Sequence, residues 1–262
     1  MVSGKVIVVT AVIVVIVAFL YSYYGYGSPS PSLSGLVAPT GQDDFNWAGY
    51  SVANSLSDPQ PLVTGISGSW IVPQVEFSVD DTFSAVWIGI GGQFDTPPQF
   101  DTSLIQTGTE QDCVGGVIYY FAWYELLPSD SVVITTIDVS PGDTITASIN
   151  LVNSLDNSWS IYIGDLSTGE SYSQNFLYDS SRLSAEWVVE RPDVNNTATI
   201  IANFGSVTFS DCKVTIGSVP QAFGYFPSLR IIMYDRRGTR LADVSNFNND
   251  GTSFTVNYIA SQ

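Results

Sequence analysis

Apolar and polar residues alternate through much of this chain, and that spacing limits its fold more than any other feature. From Thr144 to Val152, Ile145, Ala147, Ile149 and Leu151 point one way, while Thr144, Thr146, Ser148 and Asn150 point the other. This is the two-residue period of a strand with one buried face. Runs of the same kind cover 84–90, 117–126, 132–139, 160–166, 185–190, 197–204, 229–234 and 253–259. Between them stand Pro141-Gly142-Asp143, Ser167-Thr168-Gly169, Arg236-Arg237-Gly238 and Asn249-Asp250-Gly251, whose residues favour turns. No long apolar pattern at helical spacing occurs beyond residue 40. The expected fold is therefore all-β, a two-sheet antiparallel sandwich. The repeated Gln93-Phe94-Asp95-Thr96 and Gln99-Phe100-Asp101-Thr102, separated by Pro97-Pro98, reads as a loop.

The N-terminal segment is different in kind. Val6 to Tyr21 is apolar except for Thr10, with Lys5 before it and Tyr21, Tyr23, Tyr24 and Tyr26 at its far end. Residues 1–24 are expected to be a signal peptide or membrane anchor, and either would export the remainder of the chain. The lack of a small-x-small cleavage site after Leu20 favours a retained anchor. Residues 25–44, rich in Ser, Pro and Gly, read as a linker, and 45–262 as one folded domain. The expected location is extracellular, secreted or tethered to the outer face of the membrane, and the expected state is a monomer.

Composition removes whole classes of chemistry. The chain has 8 Lys and Arg against 25 Asp and Glu, a formal net charge of −17, which speaks against nucleic-acid partners. With 0 histidines, serine–histidine and cysteine–histidine nucleophiles and histidine-ligated zinc are excluded. No metal or cofactor is expected. The 2 cysteines, Cys113 and Cys212, in an exported chain most simply form one disulfide, the alternative being two buried thiols. Such a bridge closes a loop of about 100 residues and is worth about 4–5 kcal/mol on the chain-entropy model. The sequon Asn195-Asn196-Thr197 predicts a surface loop.

Chemistry then falls to carboxylates, amides and hydroxyls. In Ala185-Glu186-Trp187-Val188-Val189-Glu190, alternation puts Glu186, Val188 and Glu190 on one face. A carboxylate in so apolar a strand is costly unless that face is a wet cleft. Gln106 poses the same puzzle after Leu104-Ile105, where a satisfied core glutamine is the plain reading. In Phe121-Ala122-Trp123-Tyr124-Glu125, alternation sets Trp123 and Glu125 on one face, consistent with a binding cleft or with ordinary sheet packing.

Taken together, these segments resemble the glutamic peptidases, or eqolisins. The resemblance rests on Asn46-Trp47-Ala48-Gly49-Tyr50, Trp70-Ile71-Val72-Pro73, Trp87-Ile88-Gly89-Ile90-Gly91, Leu104-Ile105-Gln106-Thr107-Gly108, Ala122-Trp123-Tyr124-Glu125 and 185–190, in that order. It implies a sandwich of two bent sheets of the concanavalin A-like or jelly-roll type, whose concave face binds an extended peptide. It further implies that Gln106 and Glu186 are the catalytic pair, that Trp87 lines the cleft and that Glu125 supports it. Trp123 and Glu190 join these as expected substrate-binding residues. Departures fall at Gly91 and Phe121, where family members carry Asp, and at Leu126-Leu127, where they carry an aromatic pair. The expected activity is an acid-acting endopeptidase on protein or peptide substrates. Rival readings are a β-sandwich glycoside hydrolase using Glu125 and Glu186, which leaves Gln106 without a role, and a non-catalytic lectin-like surface protein.

Overall fold

The computed structural model describes residues 35–94, 101–194 and 197–261. Its strands open with β1 (Thr40–Asp44), β2 (Trp47–Val52), β3 (Val63–Ile71), the two-residue β4 (Thr82–Phe83) and β5 (Ala85–Ile90). A long hairpin of β6 (Ile105–Val114) and β7 (Val117–Leu126) turns on Gly115 and Gly116, both at positive φ, where glycine is favoured. After β8 (Val132–Ile134) come β9 (Thr144–Asn153), β10 (Ser158–Asp165), β11 (Ser171–Leu177) and β12 (Ala185–Glu190). Short pieces come next as β13 (Asp193–Val194), β14 (Thr197–Ala198) and β15 (Ile200–Ile201), then β16 (Ser206–Ile216) and β17 (Gln221–Ala222). β18 (Ser228–Tyr234), β19 (Arg240–Val244) and β20 (Phe254–Tyr258) complete the chain.

Hydrogen bonding runs β1-β18-β2-β12-β5-β6-β7-β8 through one layer. A second run, β19-β20-β16-β3-β9-β10-β11, faces it and joins it where β18 pairs with β19. All these pairings are antiparallel except β1–β18, and β4–β15 is also parallel. Indoles span the space between layers. Trp187 Nε1 donates to the Ser67 carbonyl at 2.9 Å and Trp70 Nε1 to Thr109 Oγ1 at 3.0 Å. Removing such a ring from water contributes about 4–6 kcal/mol in gross transfer terms, and the two N–H groups lose nothing because both are paired.

The alternating run at 144–152 is β9, with Ile145, Ala147 and Ile149 buried. Gly142, Gly169, Gly238 and Gly251 each take positive φ, as the turn signals require. Two predicted strands are shorter than their patterns. Of 132–139 only Val132–Ile134 pairs, and 197–204 divides into β14 and β15. β3, β11 and β16 were not anticipated, because serines and threonines blur the apolar alternation there.

The disulfide is corrected. Cys113 and Cys212 are both free and buried. They lie on strands in opposite layers. Cys113 Sγ meets the Ser78 backbone at 3.4 Å, whereas Cys212 sits where the register of β16 shifts against β3, its Sγ near the Ser210 carbonyl at 3.7 Å. Cysteine count could not reveal that separation.

The linker boundary also moves. Thr40–Asp44, assigned to the linker by composition, is β1, paired residue for residue with Leu229–Met233, and Val37 N donates to the Gly224 carbonyl at 2.8 Å. The anchor or signal at 1–24 and the sequon asparagine lie outside the described residues. Among the described residues, no helix is long and apolar enough to cross a membrane.

Candidate active site

Four strands of the first layer carry one transverse row. Glu186 on β12 is opposite Gly89 on β5, Gly89 opposite Gln106 on β6, and Gln106 opposite Glu125 on β7. Directly opposed residues project from the same sheet face, so the acid and the amide share a face with only a glycine between them. Two interstrand steps put their Cα atoms about 10 Å apart. Side chains leaning over Gly89 can then reach a common point.

Unpaired polar atoms gather on this face. Gln106 Nε2 donates to Glu125 Oε2 at 2.6 Å, and Ser51 Oγ, one strand beyond Glu186, donates to Glu186 Oε1 at 3.0 Å. Gln106 Oε1, Glu186 Oε2 and Trp123 Nε1 are buried without partners among the described residues. Buried polar groups in native folds are nearly always paired, so three on one face mark a place shaped for something other than packing.

The neighbouring rows are aromatic and acidic. Val188, Trp87, Gly108 and Trp123 form the next row, and Trp47, Glu190, Ala85, Glu110 and Phe121 the one after. Trp87 Nε1 donates to Glu190 Oε2 at 2.8 Å, and Trp47 stands edge-on to Trp87 at 5.0 Å. Burial holds the carboxyls up. It drives Glu186 well above the ordinary carboxylate range, the Ser184 and Ser51 hydroxyls opposing it only in part. Burial likewise pushes Glu190 up to about 7 and raises Glu125, which the hydrogen bond from Gln106 partly offsets. Glu110 and Asp112 are raised by burial, and for Glu110 by the charge of Asp112 as well.

The site residues anticipated from sequence, Gln106, Glu186, Trp87, Glu125, Trp123 and Glu190, therefore occupy adjacent rows of one face. An open groove was expected, and at Glu186 it is closed. Glu186 is 0% exposed and Gln106 5%. A Cβ placed on Gly89 would lie 2.9 Å from both Leu104 Cδ1 and Trp87 Cζ3, so those two side chains meet over the glycine and roof the space. Gly91, where the resemblance implies Asp, has φ +95° and no room for a Cβ beside the Ser103 carbonyl, which accounts for that departure.

Sequence reading missed Ser51 and Asp101. Asp101 is buried, and its carboxylate accepts from Gly92 N, Ser103 N, Ser103 Oγ and Ser181 Oγ at 2.6–3.0 Å. It fixes both ends of the loop that leads to Leu104. The signal available was Asp101-Thr102-Ser103, an aspartate placed to accept from the backbone two residues on.

A profile of the Peptidase A4 family matches residues 45–258. Aspergillopepsin-2 of Aspergillus niger is 31% identical over 181 residues, 67% of this chain and 59% of its own length. Scytalidopepsin B of Scytalidium lignicola is 29% identical over 184 residues, 66% of this chain and 65% of its own. The chain thus spans less than two thirds of these curated relatives. Among solved structures, scytalido-glutamic peptidase with a transition state analog inhibitor superposes with TM-score 0.67 at 24% identity, over 82% of this chain and 99% of that one. Aspergilloglutamic peptidase from Aspergillus niger gives TM-score 0.56 at 27% identity, over 68% and 99%.

Proposed function

This chain belongs to the Peptidase A4 family, and from that premise we propose that it is a glutamic-type endopeptidase in which Glu186 activates water and Gln106 stabilises the oxyanion. The observation that carries the reading is the row Glu186, Gly89, Gln106, with an unpaired oxygen on each functional side chain. Peptide hydrolysis needs a base for water, a donor for the tetrahedral oxyanion and an acid for the leaving amine. Glu186 takes the water proton as the oxygen attacks the scissile carbonyl, then returns it to the departing nitrogen. Gln106 Nε2 is the oxyanion donor.

In the closed site that amide nitrogen is held by Glu125. A protonated Glu125 can instead donate to the unpaired Gln106 Oε1, leaving Nε2 free for the substrate. Burial raises Glu125, so acid solution favours this state. Glu186 acts as a base only when ionised, and its ionisation is eased when substrate and water displace Leu104 from the roof. No histidine is needed, and none would be an effective base in acid.

The test is digestion of a denatured protein across pH 2–7, beside Glu186→Gln and Gln106→Ala. Losing the base should abolish turnover, and losing the donor should lower it by about 10²–10³-fold. Full activity in Glu186→Gln would sink the assignment. The glycosidase reading is disfavoured because Gln106 stands between Glu125 and Glu186 in the row. The remaining parts of the proposal are a concanavalin A-like or jelly-roll sandwich, peptide binding across Trp87, Trp123, Glu125 and Glu190, and a monomer exported by residues 1–24 as cleaved signal or retained anchor.

A further inference from the structure

A cavity of about 790 Å³ adjoins the candidate active site, and its walls include Trp47, Gly92, Gln93, Arg191, Asp193 and Arg236. Trp47 is the ring that meets Trp87, and a Cβ on Gly92 would touch the Leu104 side chain at 3.4 Å. The cavity and the catalytic face thus share walls.

Arg191 is 2% exposed. Its Nη2 donates to the Phe45 carbonyl at 2.7 Å and to Asn46 Oδ1 at 3.4 Å, while Nε and Nη1 have no acceptor among the described residues. The nearby carboxylates are each engaged through at least one oxygen, and none of them meets the Arg191 guanidinium. Asp44 Oδ1 accepts the Asn46 and Trp47 amides, Asp193 Oδ1 accepts Asn46 Nδ2, and Asp235 is held by Arg237 and Thr239. A buried guanidinium with unused N–H groups is unfavourable unless something brings an acceptor. Gln93 Oε1, on the same walls, is also unpaired among the described residues.

We propose that this cavity is a carboxylate subsite of the peptide groove, in which Arg191 receives a carboxylate of the substrate. The inference rests on the peptidase reading above. Asp44, Asp193 and Asp235 balance Arg191, Arg236 and Arg237 around the cavity, which suits a singly charged carboxylate better than a doubly charged phosphate. Arg191 lies five positions beyond Glu186 and one beyond the end of β12, about 16 Å on extended chain, and that odd offset turns its side chain off the Glu186 face and onto the cavity wall it shares with Trp47. A strand-like peptide covers that span in about five residues, so a carboxylate seated at Arg191 sets the cut about five residues away. The carboxylate is either the C-terminal one or an Asp or Glu side chain.

The experiment uses the full chain and matched peptides of about ten residues. One has a free C-terminal acid, one a C-terminal amide, and one an amide with a final Glu. Kinetics are read near pH 5, where peptide carboxylates are ionised, and products are read by mass. The acid should show a KM about 10–100-fold below the plain amide, with cleavage about five residues from its end. Recovery in the Glu-amide assigns the site to acidic side chains, and no recovery assigns it to the C-terminus. Arg191→Gln should erase the difference and Arg191→Lys retain part of it. If Arg191→Gln does not fold, the comparison on the unaltered protein decides. Equal KM and equal cleavage patterns for all peptides, with a denatured protein still digested, would overturn the subsite alone. No digestion of that protein would overturn both readings.

Discussion

Gly89 keeps the acid and the amide in reach of one another. A methyl group there would lie 2.9 Å from Leu104 Cδ1 and Trp87 Cζ3 and 3.2 Å from Gln106 Cβ. Leu104 Cδ1 is the far end of a flexible side chain that can shift, and the Trp87 ring need give by only a few tenths of an ångström, so Gly89→Ala should fold and keep a near-native circular dichroism spectrum. The added carbon nevertheless stands between Glu186 and Gln106, the proposed catalytic pair. We expect kcat to fall about tenfold or more, as displacement of a reacting geometry by about 1 Å commonly does. An unchanged kcat would show that the reaction does not occur over that glycine.

At the scale of elements, β5 and β6 carry the site because they approach closely. Gly108 lies opposite Trp87, and a Cβ there would enter the contact shell of the Val86 carbonyl oxygen and crowd Trp87 Cα at 2.8 Å. The neighbours are backbone and cannot swing away. Gly108→Ala should therefore cost about 1–3 kcal/mol or more of stability, measured by urea denaturation, in contrast to the mainly kinetic effect at Gly89. β7 and β12 have the bounds that alternation predicts, whereas β6 was not among the expected runs. β1 was misread because its composition is that of a linker, and only the open edge of β18 makes it a strand.

The whole molecule is adapted to hold protons. Glu186, Glu190, Glu125, Glu110 and Asp112 all have raised pKa values, chiefly through burial. The folded state binds these protons more tightly than the unfolded chain, so their stabilising contribution is full below about pH 4.5 and is lost as pH rises through about 7, where Glu190 ionises. Asp235 and Asp250 work oppositely. Hydrogen bonds lower both, and their contribution is lost as pH falls below about 3.8. Thermal melts should show the highest Tm near pH 4 and a fall of several degrees by pH 8, and a Tm that rises from pH 4 to 8 would refute the buried-proton account. Both thiols are free, so reductant should leave Tm unchanged, and alkylation after unfolding without reductant should label both Cys113 and Cys212.

The sequence by itself determined the all-β class, the turns and which side chains share a strand face, because these depend on two-residue spacing and on local backbone preference. It also confined the chemistry to carboxylates, amides and hydroxyls, since 0 histidines leave no imidazole base. Only the tertiary structure decided that Glu186 and Gln106 lie in one row across Gly89, that Leu104 and Trp87 close over them, that the two cysteines stand apart and that Arg191 is buried beside a cavity. Those facts depend on register and on layers meeting across long stretches of chain, and no local spacing encodes either.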